Sequence, residues 1–387
     1  MLKRYKYRIY PDAKQMEFLE ATSGCARFVW NEFLAANKRF YEHSKKFHFY
    51  HDMSALLTEI KTLEGYEFLK EVPKSALQYS IKNLDLSLRN SFKKASGFPR
   101  FKKKSYEQSF TLTRGQFQIK KGKLQIANLK IDKKHSLIKI RWSRELPSEA
   151  SSLTIIKDNL NHYYASFVVE CSEPTAQSSP QNDCIGLDLG IESFVTTSGG
   201  QKHKAPNYKR LLLKARHLQS RLSRKKKKSK NRERARQNLA KIHKKISRVR
   251  EDFLNKLVSL LVRENQAISI ETLKVKEMLK NKHLARAIAL QGWSLFIAKL
   301  KSKSEEYRRE IFEVGTYVPT SQVCSSCDFR WGKLNLNIRS LECDNCHALH
   351  DRDVNAAKNI LNEYFKSKQT AGHAAALNNA CGAKSST

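Results

Sequence analysis

Nowhere in the 387 residues is there a run of about 18 apolar side chains, so no membrane-spanning helix is expected. No secretory h-region follows the first residues either. Met1-Leu2-Lys3-Arg4-Tyr5-Lys6 leads straight into alternating charge, which points to the cytoplasm. No internal repeat is visible. Acids are scarce beside bases: 37 Asp plus Glu stand against 73 Lys plus Arg, a formal net charge of +36. Aromatics are not scarce, at 10 %, and hydrophobic residues make up 40 %. A wholly disordered chain is therefore excluded, and the length suits about two to three domains. So large a basic excess, spread along the chain and interleaved with Tyr and Phe, suits the neutralisation of phosphates better than a merely solvated surface.

Residues 1–10 alternate Arg4, Lys6 and Arg8 with Tyr5, Tyr7 and Ile9, the pattern of a strand with one basic face. Asp12 with Gln15 resembles a capping box, and helical spacing then continues to about Lys94. Short strand patterns at Phe110, Phe117, Leu124, Ile138, Leu153 and Tyr163 predict a small antiparallel sheet or barrel that the first strand joins. Ser172 to Gln181 reads as a linker. Beyond it come a buried-looking strand at Cys184–Gly190, a second over 191–197 and helix over 205–263. A strand ending at Glu271, a helix to about Arg309 and a strand from Ile311 follow. The apolar stripe Leu239, Ile242, Ile246, Val249, Phe253, Leu257, Leu260 predicts one buried helix face.

Cys324-x2-Cys327 and Cys343-x2-Cys346 each present two sulfurs from a tight turn, and two such turns complete a tetrahedral thiolate site for one structural zinc. Two disulfides are the alternative, disfavoured in the cytoplasm. His347 and His350 are spare donors, and Cys25, Cys171, Cys184 and Cys381 lack partner spacing. Three sets of acids stand at suggestive places: Asp188 within an apolar strand, Glu271 at the end of another, and Asp351 and Asp353 at a helix start. Their convergence would bind two Mg²⁺ for phosphodiester cleavage, although an acid at a helix start is often a cap and one at a strand end often merely exposed. The basic stretches Arg100, Lys102, Lys103, Lys104 and Arg224, Lys225, Lys226, Lys227, Lys228 are candidate phosphate contacts. Tyr5, Tyr7, Phe98 and Phe101 either stack on bases or pack in the core.

Gly186-Leu187-Asp188-Leu189-Gly190-Ile191, the segment Ile270 to Ile288, Gly292-Trp293, Thr320 to Cys327, Cys343-Asp344-Asn345-Cys346 and His350 to Ile360 together resemble the TnpB proteins of insertion sequences, relatives of type V CRISPR effectors. Gly97-Phe98-Pro99-Arg100-Phe101-Lys102 resembles that family's basic interdomain loop. The resemblance implies an α/β fold: an RNase H-like (RuvC) nuclease domain (182–318 and 349–365) interrupted by a zinc ribbon (319–348). It further implies an N-terminal wedge-type β-barrel (1–10 and 96–175) with a helical recognition insert (11–95); residues 366–387 read as a disordered tail. It implies Asp188, Glu271 and Asp353 as the nuclease acids, with Asp351 left as a helix cap. Gly is usual in the family where Asp328 and His347 stand. The implied activity is RNA-guided cleavage of double-stranded DNA beside a short adjacent motif, with a guide RNA from the transposon end, catalytic Mg²⁺ and structural zinc. The rivals are a transposase acting without a guide and a guide-directed repressor.

Overall fold

The computed structural model describes residues 1–387 except 106, 130–135, 172–179, 317, 333–337 and 383–387, and over 371–382 the backbone alone. The chain divides into two compact units, Met1–Glu173 and Pro174–Thr387. Most of the expected linker, 172–179, lies outside the described residues. Among the described residues no helix is long and apolar enough to cross a membrane.

In the first unit β1 (Leu2–Tyr10) leads into α1 (Ala13–Ser44), α2 (Tyr50–Ile60) and α3 (Lys74–Phe92). Asp12 accepts from the Gln15 amide while the Gln15 side chain accepts from the Asp12 amide, the reciprocal cap that the sequence suggests. Strands β2 (Gln108–Thr113), β3 (Phe117–Lys120), β4 (Lys123–Ile126), β5 (Ile138–Arg141), β6 (Ala150–Lys157) and β7 (Tyr163–Glu170) then join β1 in one sheet. Its order is β2-β6-β7-β1-β5-β4-β3, and every pairing is antiparallel. No ladder among the described residues joins β2 to β3, so by its hydrogen bonds the expected barrel is an open sheet. Phe110 and Leu112 of β2 nevertheless share one core with Phe117 of β3. Alternation along β1 buries Tyr7 and Ile9 and leaves Arg4 and Lys6 outside. Tyr7, only 2 % exposed, is thereby a core residue and is unavailable for base stacking.

The second unit is built on β8 (Asn182–Asp188), β9 (Val195–Thr197) and β10 (Lys202–His203), then α4 (Lys209–Ser223) and α5 (Lys230–Glu264). It continues with β11 (Asn265–Glu271), α6 (Val275–Met278), α7 (Ala285–Gln291), α8 (Trp293–Tyr307), β12 (Glu310–Val314), the hairpin β13 (Ser340–Glu342) and β14 (Leu349–Asp351), and α9 (Arg352–Gly382). The five-stranded sheet runs β10-β9-β8-β11-β12. β8 and β12 flank β11 in parallel, and the β8-β9-β10 edge is antiparallel. Parallel neighbours require long crossovers, which α4–α5 and α6–α8 supply.

Four expectations are corrected. The strand foreseen over 191–197 is confined to β9. The helix foreseen between Glu271 and about Arg309 is three helices, α6, α7 and α8, the last two parted at Gly292 with φ +73°, a left-handed position that suits glycine. Of the tail foreseen as disordered over 366–387, residues 366–382 continue α9 and 383–387 lie outside the described residues. The buried face of α5 holds Leu239, Ile246 and Leu257 of the expected stripe, while Leu254, Val258 and Leu261 rather than Phe253 and Leu260 are buried at its C-terminal end, where the helix packs in the core with the sheet.

Candidate nuclease and metal sites

Asp188 ends β8 and Glu271 ends β11. The parallel ladder pairs Ile270 with Leu187, so the two acids stand next in register on adjacent strands. Side chains two apart on a strand share a face, which puts Asp188 on the face of Gly186 and Glu271 on the face of Ser269. Helix α9 lies on that face. A Cβ on Gly186 would run into the Ala357 carbonyl oxygen and come within 2.9 Å of Leu361, and Ser269 Oγ donates to the Ile360 carbonyl at 2.7 Å. From Ala357 back to Asp353 is four helical residues, about 6 Å. From Gly186 on to Asp188 is two strand residues, about 6.6 Å. The first turn of α9 therefore sets Asp353 over the strand end that carries Asp188.

The electrostatics register this convergence. Burial pushes the Asp188 carboxyl up to about 7, and the charges of Glu271 and Asp353 push it the same way. Burial raises Glu271 as well. Cations border the group. Arg339 lies 3.6 Å from Asp353 Oδ1 and 2.7 Å from Glu192, and Lys202 is 3.9 Å from Asp353 and 2.7 Å from Asp351. Asp351 has a different geometry: its Oδ1 accepts from the amides of Asp353 and Val354, both at 3.1 Å, which caps α9. These three half-buried carboxylates, whose charges oppose one another at Asp188, are hard oxygen donors of the kind that suits Mg²⁺ or Mn²⁺.

The four cysteines meet. The sulfurs of Cys324, Cys327, Cys343 and Cys346 all lie within 4.8 Å of one another. Cys324 and Cys346 are 3.7 Å apart and Cys327 and Cys343 are 3.6 Å apart, far beyond the roughly 2.05 Å of a disulfide bond. The two turns repeat one geometry. The Asp328 amide donates to the Cys324 carbonyl, as the His347 amide does to that of Cys343; the Cys324 amide donates to Phe329, as that of Cys343 does to Ala348. Asp328 (φ +58°) and His347 (φ +56°) occupy the left-handed region, which explains why glycine suits both positions. This donor set fits one tetrahedral zinc. His350 Nε2 lies 3.1 Å from Cys324 Sγ.

Spacing did not single out two further residues. Asn355 accepts from the Ser325 amide (2.9 Å) and donates to the Val323 carbonyl (2.8 Å), clamping the first cysteine turn on both sides of Cys324. One helical turn on, Asn359 donates to the Thr320 and Val323 carbonyls, both at 2.7 Å. Both side chains are buried on α9, two and six residues beyond Asp353. Their only sequence signal was two amides one turn apart on a helix of small residues.

Of the basic candidates, Arg224, Lys225, Lys226, Lys227 and Lys228 form an exposed turn between α4 and α5, and none has an ion-pair partner among the described residues. Arg232 braces this turn on the Leu222 and Lys225 carbonyls. In the first unit the Arg100 carbonyl accepts from Trp30 Nε1. Asn31 binds both the amide and the carbonyl of Lys102. The Lys102 ammonium sits 3.8 Å from the Trp30 ring centroid, so it is engaged in a cation–π contact, whereas Lys103 and Lys104 are exposed. Phe98 and Phe101 are exposed, and Arg144 lies over the half-buried Tyr5 ring.

Residues 166–282 match a family described as "Probable transposase" and residues 293–360 one described as "Cas12f1-like, TNB domain". Residues 1–46 match a family described as a helix-turn-helix domain, yet here they form β1 and the single unbroken α1. A Streptomyces pristinaespiralis protein named "Putative RNA-guided DNA endonuclease" is 39 % identical, the match covering 92 % of this chain and 88 % of that protein. One from Escherichia coli, named "Putative RNA-guided DNA endonuclease InsQ", is 28 % identical over 96 % and 93 %. The fold is similar to that of the protein in a structure titled "Cryo-EM structure of the Cas12f1-sgRNA-target DNA complex", with a TM-score of 0.59 at 13 % identity over 93 % of this chain and 98 % of that one. The paired cysteine turns, the acids at the strand ends and a relative matched nearly end to end agree: the chain belongs to the TnpB family.

Proposed function

We propose that this protein is an RNA-guided DNA endonuclease whose second unit is an RNase H-like (RuvC) nuclease domain interrupted by a zinc ribbon. The observation that carries the reading is the meeting of Asp188, Glu271 and Asp353 where β8, β11 and α9 converge, with Asp188 pushed up to about 7 by burial and its two neighbours. Bound there, two Mg²⁺ ions would activate a water and neutralise the leaving oxygen of a phosphodiester. Asp188, Glu271 and Asp353 would hold the ions. Lys202 and Arg339, which border Asp353, would steady the non-bridging oxygens of the scissile phosphate. The four thiolates would hold zinc and so fold a segment too short to build a core of its own.

The exposed 224–228 turn and Lys103 and Lys104 would track nucleic-acid backbone, so binding should weaken with salt as each neutralised phosphate stops releasing counterions. Sequence would be read by a guide RNA from the transposon end, the protein holding the heteroduplex by shape and reading a short adjacent motif on double-stranded DNA. The names of the relatives support guided cleavage over guideless transposition, and the presence of all three acids supports cleavage over repression. The test is to express the protein with its flanking element, sequence the RNA that copurifies, and assay Mg²⁺-dependent cleavage of a plasmid carrying the matching target. A defined RNA with programmed cutting is expected; cutting that ignores the RNA sequence, or none, overturns the reading.

A further inference from the structure

The second unit contains a cavity of about 430 Å³ beside the acid site. Its wall includes Ile191, Ala287, Leu290 and Leu213, the last 56 % exposed although apolar. Its lining also includes Lys209, Arg216 and Arg286, all exposed and without an ion-pair partner among the described residues. The one acid lining it, Glu192, is held by Arg339 at 2.7 Å, and the same guanidinium reaches Asp353 at 3.6 Å. One side chain therefore spans from the cavity to the acids. Gln291, also in the lining, donates its Nε2 to the Ile191 carbonyl at 2.8 Å, which fixes the amide and leaves Oε1 buried without a partner.

Each feature has a counterpart in a nucleotide. The apolar wall suits a base, the unengaged cations suit the phosphates on either side of it, and the orphaned Oε1 suits a hydrogen-bond donor such as the N–H that every nucleobase presents. A purely apolar ligand would leave Oε1 unsatisfied, and an acidic peptide would leave the apolar wall unfilled. We propose that this cavity takes one unpaired base of the strand being cut, lying against Leu213 and Leu290 with its N–H on Gln291 Oε1 and its phosphates on Arg216 and Arg286. The site positions the strand so that a neighbouring phosphodiester reaches the acids. Because all four bases can donate to Oε1, the preference for any one base is weak. The proposal rests on the nuclease reading.

The test uses guide-loaded protein and a set of matched target duplexes, each carrying a single abasic residue at successive positions of one strand around the cut. One position is expected to lose about tenfold in cleavage rate, as loss of a stacked base implies. Ala287→Trp, which fills the cavity, should slow cleavage of the intact target by a similar factor and add nothing on the target abasic at that position. Leu213→Asp, at an exposed site, should act in the same direction without burdening the fold. Retention of guide RNA and an unchanged melting temperature establish that each variant is folded. Wild-type cutting with no position sensitive to base removal overturns the proposal, as does an equal sensitivity in Leu213→Asp. Failure of the wild type to cut the intact target overturns the nuclease reading instead.

Discussion

Gly186 lies directly beneath Ala357: no side chain fits between β8 and α9 there, because a Cβ would strike the Ala357 carbonyl oxygen. This contact sets how close the helix comes to the strand and hence where Asp353 stands relative to Asp188. Gly186→Ala should push α9 outward, lower the melting temperature by several degrees and abolish cleavage. Backbone on both sides can give only by moving the helix, a distortion worth about 1–3 kcal/mol. Differential scanning calorimetry beside a plasmid-cleavage assay checks this.

Removing a carboxylate should stop the chemistry and spare binding. Asp188→Ala, Glu271→Ala and Asp353→Ala are each expected to abolish Mg²⁺-dependent cleavage while guide and target binding persist, since no positive charge is lost. Asp351→Ala is the internal contrast. It removes the cap of α9 at a cost of about 1 kcal/mol and should leave the activity in place. Cleavage that survives in Asp188→Ala would remove the nuclease hypothesis.

The raised Asp188 carboxyl has a pH signature in metal-free protein. A carboxylate near 3.8 when unfolded and about 7 when folded binds its proton more tightly in the native state. Its contribution therefore disfavours the native state progressively as pH rises from about 4 to about 7, and fully above that. Asp188→Asn should stabilise the protein at pH 8, by an amount on the order of 4 kcal/mol at most, and change its melting temperature little at pH 4. Added Mg²⁺ should stabilise the wild type at pH 8 far more than the Asn variant. An equal effect of the substitution at both pH values would show that Asp188 is not perturbed.

Zinc and the acid site should be linked through Asn355. Cys324→Ser is expected to release about one zinc per chain and promote aggregation. Asn355→Ala keeps the thiolates but leaves the Ser325 amide without its side-chain partner and the Val323 carbonyl with Asn359 alone, a penalty of about 1–3 kcal/mol. Zinc content by metal analysis should stay near one while cleavage falls and the Mg²⁺ concentration for half-maximal rate rises. Loss of zinc together with activity would make Asn355 a fold residue only.

The left-handed turns supply the converse change. Asp328→Gly and His347→Gly each relieve a side chain at positive φ and should raise the temperature at which zinc is lost, each by less than about 1 kcal/mol. A fall in that temperature would mean that the side chains contribute more than the backbone costs.

Much of this molecule was legible along the chain because the informative features are local. The two cysteine turns announce themselves by spacing, since two sulfurs on one metal require a tight turn. The Asp12–Gln15 cap and the alternation of β1 are decided within a few residues, and the family motifs mark Asp188, Glu271 and Asp353. Local pattern could not distinguish a stacking Tyr7 from a buried one, because aromatic alternation looks the same on either face of a strand until the sheet chooses its core side. Nor could it place Asp353 over Asp188: 165 residues separate them, and their meeting depends on a parallel register and on a glycine that admits a helix. The Asn355 clamp, the engagement of Lys102 on Trp30 and the cavity that Gln291 helps to line likewise belong to no single segment. Each is made by groups brought together from distant positions, and only packing of the apolar faces determines which of them meet.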